Sequence, residues 1–286
     1  MNLGELVRQT ARRFAAARLH YGHGTDNAYD EAAFLVLRAL VLPFHADERI
    51  PVNDVDLRRV AKLVRHRIRD RIPTAYLLKE AWLDGLPFYV DRRVIVPRSH
   101  IAGLLHSWPH RVRRALDLCC GSACLAVLAA RGFPLARVDA ADISDASLAV
   151  AERNRRMHRL EHRLELVRSD LFDGLRGRRY DLILTNPPYV PQAVMRRLPR
   201  EYRHEPGLAL GAGEDGMDLV ARILEAAPDH LYPGGALLCE IGDNRRAFER
   251  RYPRLPVTWP RAEVFMYRPS RNVAASRTPS RRAAGR

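Results

Sequence analysis

The sequence predicts an α/β fold: a mostly parallel sheet with helices on both faces, preceded by a small helical region and linked to it by a β-hairpin. Three observations carry that expectation. From residue 101 onward, short apolar runs alternate with amphipathic stretches, the pattern of βαβ units. Residues 1 to about 73 carry helical periodicity instead. Between the two, Asp84-Gly85 separates two apolar runs, which is a hairpin signal.

In chain order, residues 1–75 read as a helical domain, a small bundle. Thr25 and Asp26 are cap candidates for the apolar run that Pro43 stops. Leu57, Val60, Val64 and Ile68 form one stripe of a later helix. Residues 76–100 read as the hairpin connector, closed by Pro97-Arg98. Residues 101–268 hold the sheet. Its strands are "RALDLCC", "ARVDAADIS", "RLELVRSD", "YDLILTN" and "GGALLCEIG"; its helices are "ACLAVLAARG", "DASLAVAERNRRMH" (capped at Ser144) and "GMDLVARILEAAPDHL". Residues 269–286 are basic, lack apolar periodicity and are expected to be disordered.

Hydrophobic residues make up 47% and charged residues 28% of the chain, a soluble globular profile. No run approaches the roughly 18 apolar residues of a membrane span, and the N-terminus lacks a secretory h-region. Three of the four cysteines, Cys119, Cys120 and Cys124, share one short segment, and Cys239 lies apart. No CxxC pair occurs. A reducing cytoplasm is therefore the expected compartment, with no disulfide framework. His158 and His162 are four apart, but no third ligand lies near, so a solvated helix face is expected and no metal. The net charge is +15, and Lys62 and Lys79 are the only lysines, so the charge is almost all arginine. Such charge attracts polyanions. A weak contact with RNA through the basic surface and tail is the sharper reading of it; a solvated face is the plainer one.

In open α/β sheets, ligands sit beyond the carboxyl ends of the strands. After the first strand comes Asp117, then a turn of small residues, Cys119, Gly121, Ser122 and Ala123, that lets a ligand approach the backbone and a helix start. After the second strand comes Asp142, followed by Ile143. An acid there can accept both hydroxyls of a ribose, or it can simply cap the next helix; on this feature alone both readings stay open. After the third comes Asp170, able to accept from an adenine amino group, with Leu171 and Phe172 placed to flank the ring. After the fourth comes Asn186-Pro187-Pro188-Tyr189, where two prolines must end the strand.

This order of acids, small turn and proline motif resembles the class I S-adenosylmethionine-dependent methyltransferases. The resemblance implies a Rossmann-like, seven-stranded, mostly parallel sheet and S-adenosyl-L-methionine as cofactor. The NPPY tetrapeptide belongs to the subset that methylates nitrogen conjugated with a π system. Such a nitrogen is a poor nucleophile, because its lone pair is delocalised. Two acceptors gripping both N–H bonds can aim that lone pair at the methyl. The Asn186 side-chain oxygen and the Pro187 carbonyl suit this, and the prolines leave no N–H to quench that carbonyl. Tyr189 can pack on the planar amide and shield the cationic methyl. The acceleration would come from positioning and fixed dipoles.

"GLPFYVDRRVIVPRSHI", "NPPYV" and "LPREYRHEPGLALGAGEDGMDLVARIL" narrow the resemblance to the protein N5-glutamine methyltransferases. The branch acting on ribosomal large-subunit protein three is the nearest in wording. Alternatives are the release-factor branch, an adenine-N6 nucleic-acid methyltransferase, and an inactive ribosome-assembly factor that keeps the fold. In the family the helical domain and hairpin help hold the protein substrate, and Pro97, Arg98 and Glu205 match family stretches near that cleft. The chain departs from the family twice. Ala123 stands where the family usually has Gly; at positive φ this strains the backbone by about 1 kcal/mol or more. The end after "PVTW" is short, so the last hairpin is expected to be tight or distorted.

Overall fold

The computed structural model describes residues 1–269. Most of the expected basic tail, residues 270–286, lies outside them. The helical region is α1 (Leu3–Ala16), α2 (Ala28–Ala39), α3 (Asp54–Arg69) and the short α4 (Thr74–Leu78). Asn2 caps α1 in a reciprocal box with Glu5, and Asn53 caps α3. α2 is capped by Asn27, not by Thr25 or Asp26: its side chain accepts from the Asp30 amide. Leu6, Phe14, Leu35, Val60 and Val64 close a separate small core, with Leu57 and Ile68 packed at its edge.

The connector is β1 (Ala81–Leu83) and β2 (Leu86–Phe88), paired antiparallel. Asp84 and Gly85 both have positive φ, which gives the two-residue turn the twist that a hairpin needs. After α5 (Ala102–Leu105) the alternation begins: β3 (Arg114–Leu118), α6 (Cys124–Gly132), β4 (Arg137–Asp142), α7 (Asp145–Met157), β5 (Leu164–Arg168) and β6 (Tyr180–Thr185). The short α8 (Gln192–Met195), α9 (Asp218–His230), β7 (Leu231–Glu240) and α10 (Arg245–Arg251) follow, and β8 (Val257–Arg261) and β9 (Val264–Tyr267) end the fold. The seven-stranded sheet runs β5-β4-β3-β6-β7-β9-β8. β9 alone runs opposite to the other six strands, pairing antiparallel with both β7 and β8.

The central strands β3, β6 and β7 are buried on both faces over most of their length, so they are largely apolar rather than alternating. Ala115, Ala140, Leu182 and Leu184 face the layer that holds α6. Leu116, Leu118, Ile183 and Leu237 face the layer that holds α9 and α10. The last hairpin is both tight and distorted. Only two residues join β8 to β9, and the register slips between Thr258 and Arg261, where Pro260 offers no N–H.

The expected helix face at His158 and His162 is not formed, because α7 ends at Met157. His158 is buried, and its Nε2 lies 2.9 Å from the Pro87 carbonyl, so it fastens the connector hairpin to the sheet domain.

Candidate active site

The chain order reverses between β3 and β6. β3 leads to β4 on one side, while β6 lies on the other. Their carboxyl ends therefore diverge into a crevice, the place where open α/β sheets bind ligands. The Thr185 hydroxyl donates to the Leu118 carbonyl at 2.8 Å and ties the two strand ends together at that point. Three cavities open there, of about 260, 190 and 40 Å³. Asn186 and Ile95 line all three.

The largest cavity is bounded by Cys119, Gly121, Asp142, Ile143, Asp170, Leu171 and Pro188. A Cβ built on Gly121 would meet nothing, so the backbone faces open space there. Asp142 anchors the wall from inside. One of its oxygens accepts the Gly121 amide at 2.9 Å and the other the Ser144 amide at 2.9 Å. The two sequence readings of Asp142 are thus compatible: it accepts a bond at the start of the next helix and also lines the cavity, and a carboxylate oxygen can accept more than one bond. Burial pushes its pKa up, against the backbone amides of Ser144, Gly121 and Ile143. Asp170 stands at the rim, 3.0 Å from the Arg222 guanidinium.

The smallest cavity lies under the first turn and is lined by Pro97, Arg98, Asp117, Cys119, Gly121, Ser122 and Asn186. Asp117 is wholly buried and accepts the Ala126 amide at 2.8 Å. Burial pushes its pKa up to about 8, so it is largely protonated at neutral pH. Burial likewise pushes the thiols of Cys119 and Cys124 up, which leaves them poor nucleophiles.

The third cavity, of intermediate size, is lined by Pro187, Tyr189, Arg98, Val194, Leu198 and Tyr202. Tyr189 is seated by glycines. A Cβ at Gly242 would come within 2.7 Å of its ring, and a Cβ at Gly216 would strike its carbonyl. That carbonyl accepts from Asn244 Nδ2 at 2.8 Å. Among the described residues neither the Pro187 carbonyl nor the Asn186 side-chain amide takes a hydrogen bond, and both residues line the third cavity.

Three expectations are corrected. Ala123 does have positive φ, 59°, but it is fully buried in the core and lines none of the cavities. Its methyl faces the protein, not a ligand. Glu205 lies behind the wall rather than on it. It grips Arg98 with both oxygens, at 2.6 and 2.7 Å, and accepts the Val96 amide at 3.0 Å. Phe172 stacks on His230 at 4.5 Å inside the core, leaving Leu171 alone at the cavity.

Sequence reading missed the scaffold around these cavities. Arg67, on α3, is 1% exposed. It binds Glu31 of α2, Glu201 and the His20 carbonyl, while Thr74 donates to Glu31 at 2.7 Å. Glu201 belongs to the segment carrying Leu198 and Tyr202, so the helical region holds one wall of the third cavity. His23 sits behind that wall, 3.7 Å from Glu205. Burial, then the charges of Arg98 and Arg67, lower its pKa to about 3, so it is neutral and the contact is not an ion pair. Buried Glu240, at the end of β7, accepts from Ser99 Oγ at 2.6 Å. The strand-end rule used for Asp142 and Asp170 would have flagged it.

The family model described as "Methyltransferase small domain" matches residues 102–198. Curated relatives cover nearly the whole chain. The ribosomal protein uL3 glutamine methyltransferase of Bordetella pertussis is 51% identical over 269 residues, 90% of each chain. The chain belongs to the ribosomal protein uL3 glutamine methyltransferase family. The relative of the same name in Bradyrhizobium diazoefficiens is 47% identical, over 91% of this chain and 86% of that one. That of Neisseria meningitidis serogroup B is 46% identical, over 89% and 87%. Among solved structures, the catalytic domain of hMettl16 in complex with the MAT2A 3′UTR hairpin 6 aligns with a TM-score of 0.50 at 16% identity, over 75% of this chain and 81% of that one. That likeness concerns the fold alone. As a member of this family the chain is a protein methyltransferase of class I architecture, with S-adenosyl-L-methionine as its cofactor. Among its described residues no helix is long and apolar enough to cross a membrane, and no cluster of His, Cys, Asp and Glu could hold a metal.

Proposed function

We propose that this chain methylates the side-chain amide nitrogen of a glutamine in ribosomal protein uL3. One observation supports the reading: Asn186 lines all three cavities, the largest with Asp142 and Asp170 and the third with Pro187 and Tyr189. The donor supplies a methyl on a sulfonium, already activated for transfer. The chain supplies the rest. Asp142 receives the ribose, with Gly121 and Ile143 beside it. Asp170 and Leu171 bound the base. Asp117, Cys119 and Ser122 enclose the amino-acid end, next to Pro97 and Arg98.

The acceptor amide enters the third cavity. Asn186 Oδ1 and the Pro187 carbonyl accept its two N–H bonds and turn its lone pair toward the largest cavity. Pro188 cannot donate to the chain, so the strand tip stays rigid. Tyr189 packs on the amide plane, held by Gly242 and Gly216. Burial and the nearby Glu240 carboxylate push the Tyr189 pKa up, so its phenol stays neutral and does not act as a base. No base is required, because the nitrogen becomes acidic once methylated. Arg98 is neutralised by Glu205 and shapes the wall without presenting a free charge.

The names of the curated relatives favour uL3 over release factors as acceptor. The test is mass spectrometry of purified uL3 incubated with the enzyme and donor. One added methyl on a glutamine is expected. Asn186→Ala should lower that rate by about 10² or more, by loss of one preorganised acceptor. Methylation of release factor or of adenine in place of uL3 would overturn the assignment.

A further inference from the structure

The segment of residues 191–206 has two faces of opposite character. Val194, Leu198 and Tyr202, spaced four apart, line the acceptor cavity. Arg196, Arg197, Arg200 and Arg203 are exposed, and none meets a carboxylate within 4.0 Å among the described residues. Its two acids are turned inward. Glu201 is 3% exposed and bound by Arg67 and Arg71; Glu205 is 5% exposed and bound by Arg98. The buried acids are thus matched by buried or half-buried arginines, and four cations remain unopposed along the outer lip. All four fall within eight consecutive residues.

We propose that this lip is an RNA-docking surface, and that the enzyme meets its acceptor protein on RNA. Arginines without carboxylate partners suit phosphates, which they bind through paired N–H bonds. A chain of net charge +15 repels a free basic ribosomal protein, and a run of phosphates between them removes that repulsion. The second half of the proposal rests on the acceptor reading above; the first half does not.

The test compares the full chain with two multiple variants. One is R196Q/R197Q/R200Q/R203Q. The other, R58Q/K62Q/R65Q, neutralises an exposed stripe of α3 that lies opposite its buried Val60 and Val64. Affinity for a labelled RNA hairpin is read across a salt series. The lip variant should flatten the log–log salt slope by about 3, at roughly 0.7–0.9 per lost phosphate contact, and bind at least about tenfold more weakly. The α3 variant should change the slope far less. Equal effects of the two variants would overturn the proposal, as would displacement of the RNA by polyglutamate at the same charge concentration. In a second arm, uL3 free and uL3 bound to an RNA fragment are offered as acceptors. The native enzyme should prefer the bound form and the lip variant should lose that preference. Equal rates for the native enzyme would overturn the second half alone. If neither form is methylated, the acceptor reading falls and the salt series still decides the docking surface.

Discussion

Replacing Ala123 by Gly is the sharpest probe of whether the departure from the family glycine damages this enzyme. Ala123 has φ 59° and ψ 29° and is fully buried. An L-residue in this region costs about 1–2 kcal/mol, which glycine would relieve. Two opposing contributions arise from the same geometry. Removing a buried methyl loses about 0.8 kcal/mol of transfer energy. Adding glycine raises the entropy of the unfolded chain by about 0.4–1 kcal/mol. The sums nearly cancel, so stability should change by less than about 1 kcal/mol, a shift in Tm of no more than about 2–4 °C for a chain of this size. Because Ala123 lines no cavity, cofactor affinity should change by less than about twofold, well under the 1.4 kcal/mol of a tenfold effect. Scanning calorimetry and titration calorimetry with S-adenosyl-L-methionine read both quantities. A tenfold gain in affinity would refute the reasoning, since it would place the methyl against the cofactor after all.

Asp117→Asn should alter the pH dependence of stability. The native carboxyl is raised to about 8, so its contribution is fully present below the ordinary carboxylate range and is lost as pH rises toward 8. The variant should therefore gain on the native enzyme by several kcal/mol between about pH 5 and pH 8; a constant difference in thermal melts would contradict this. Arg67→Ala leaves Glu31 and Glu201 buried without their main partner and should cost about 3–5 kcal/mol in urea unfolding, with strong coupling to Glu201→Gln. A loss below about 1 kcal/mol, the value of an exposed pair, would count against the network. Gly242→Ala drives a Cβ toward the Tyr189 ring at 2.7 Å, so methylation should fall by roughly 10²-fold while the fold persists. Unchanged turnover with intact circular dichroism would remove Tyr189 from the site.

Much of the fold was legible because parallel strands buried on both faces read as largely apolar runs, and "YDLILTN" and "RALDLCC" come close to that. Asp142, Asp170 and Asn186 were legible from their position just past a strand's carboxyl end, since topology alone brings those ends together. Ala123 and Phe172 share those turns, yet chain proximity does not say which way a side chain points. Both turn into the core. Glu205 was misread for a different reason. Its partners, Val96 and Arg98, lie more than a hundred positions away, and no local pattern encodes that distance. The Arg67 network was invisible for the same reason: its partners Glu31 and Glu201 are 36 and 134 positions away, and Arg67 is one of several arginines on its helix.

The joint made by Arg67 and Glu201 also limits how such proteins can be recombined. A helical module that arrived without a cation in the place of Arg67 would offer Glu201 no socket unless residues 200–205 travelled with it. The chimera would then fold as two sound halves with an acceptor pocket that no longer closes. Inheritance of acceptor choice should accordingly track the pair of segments together, rather than either one alone.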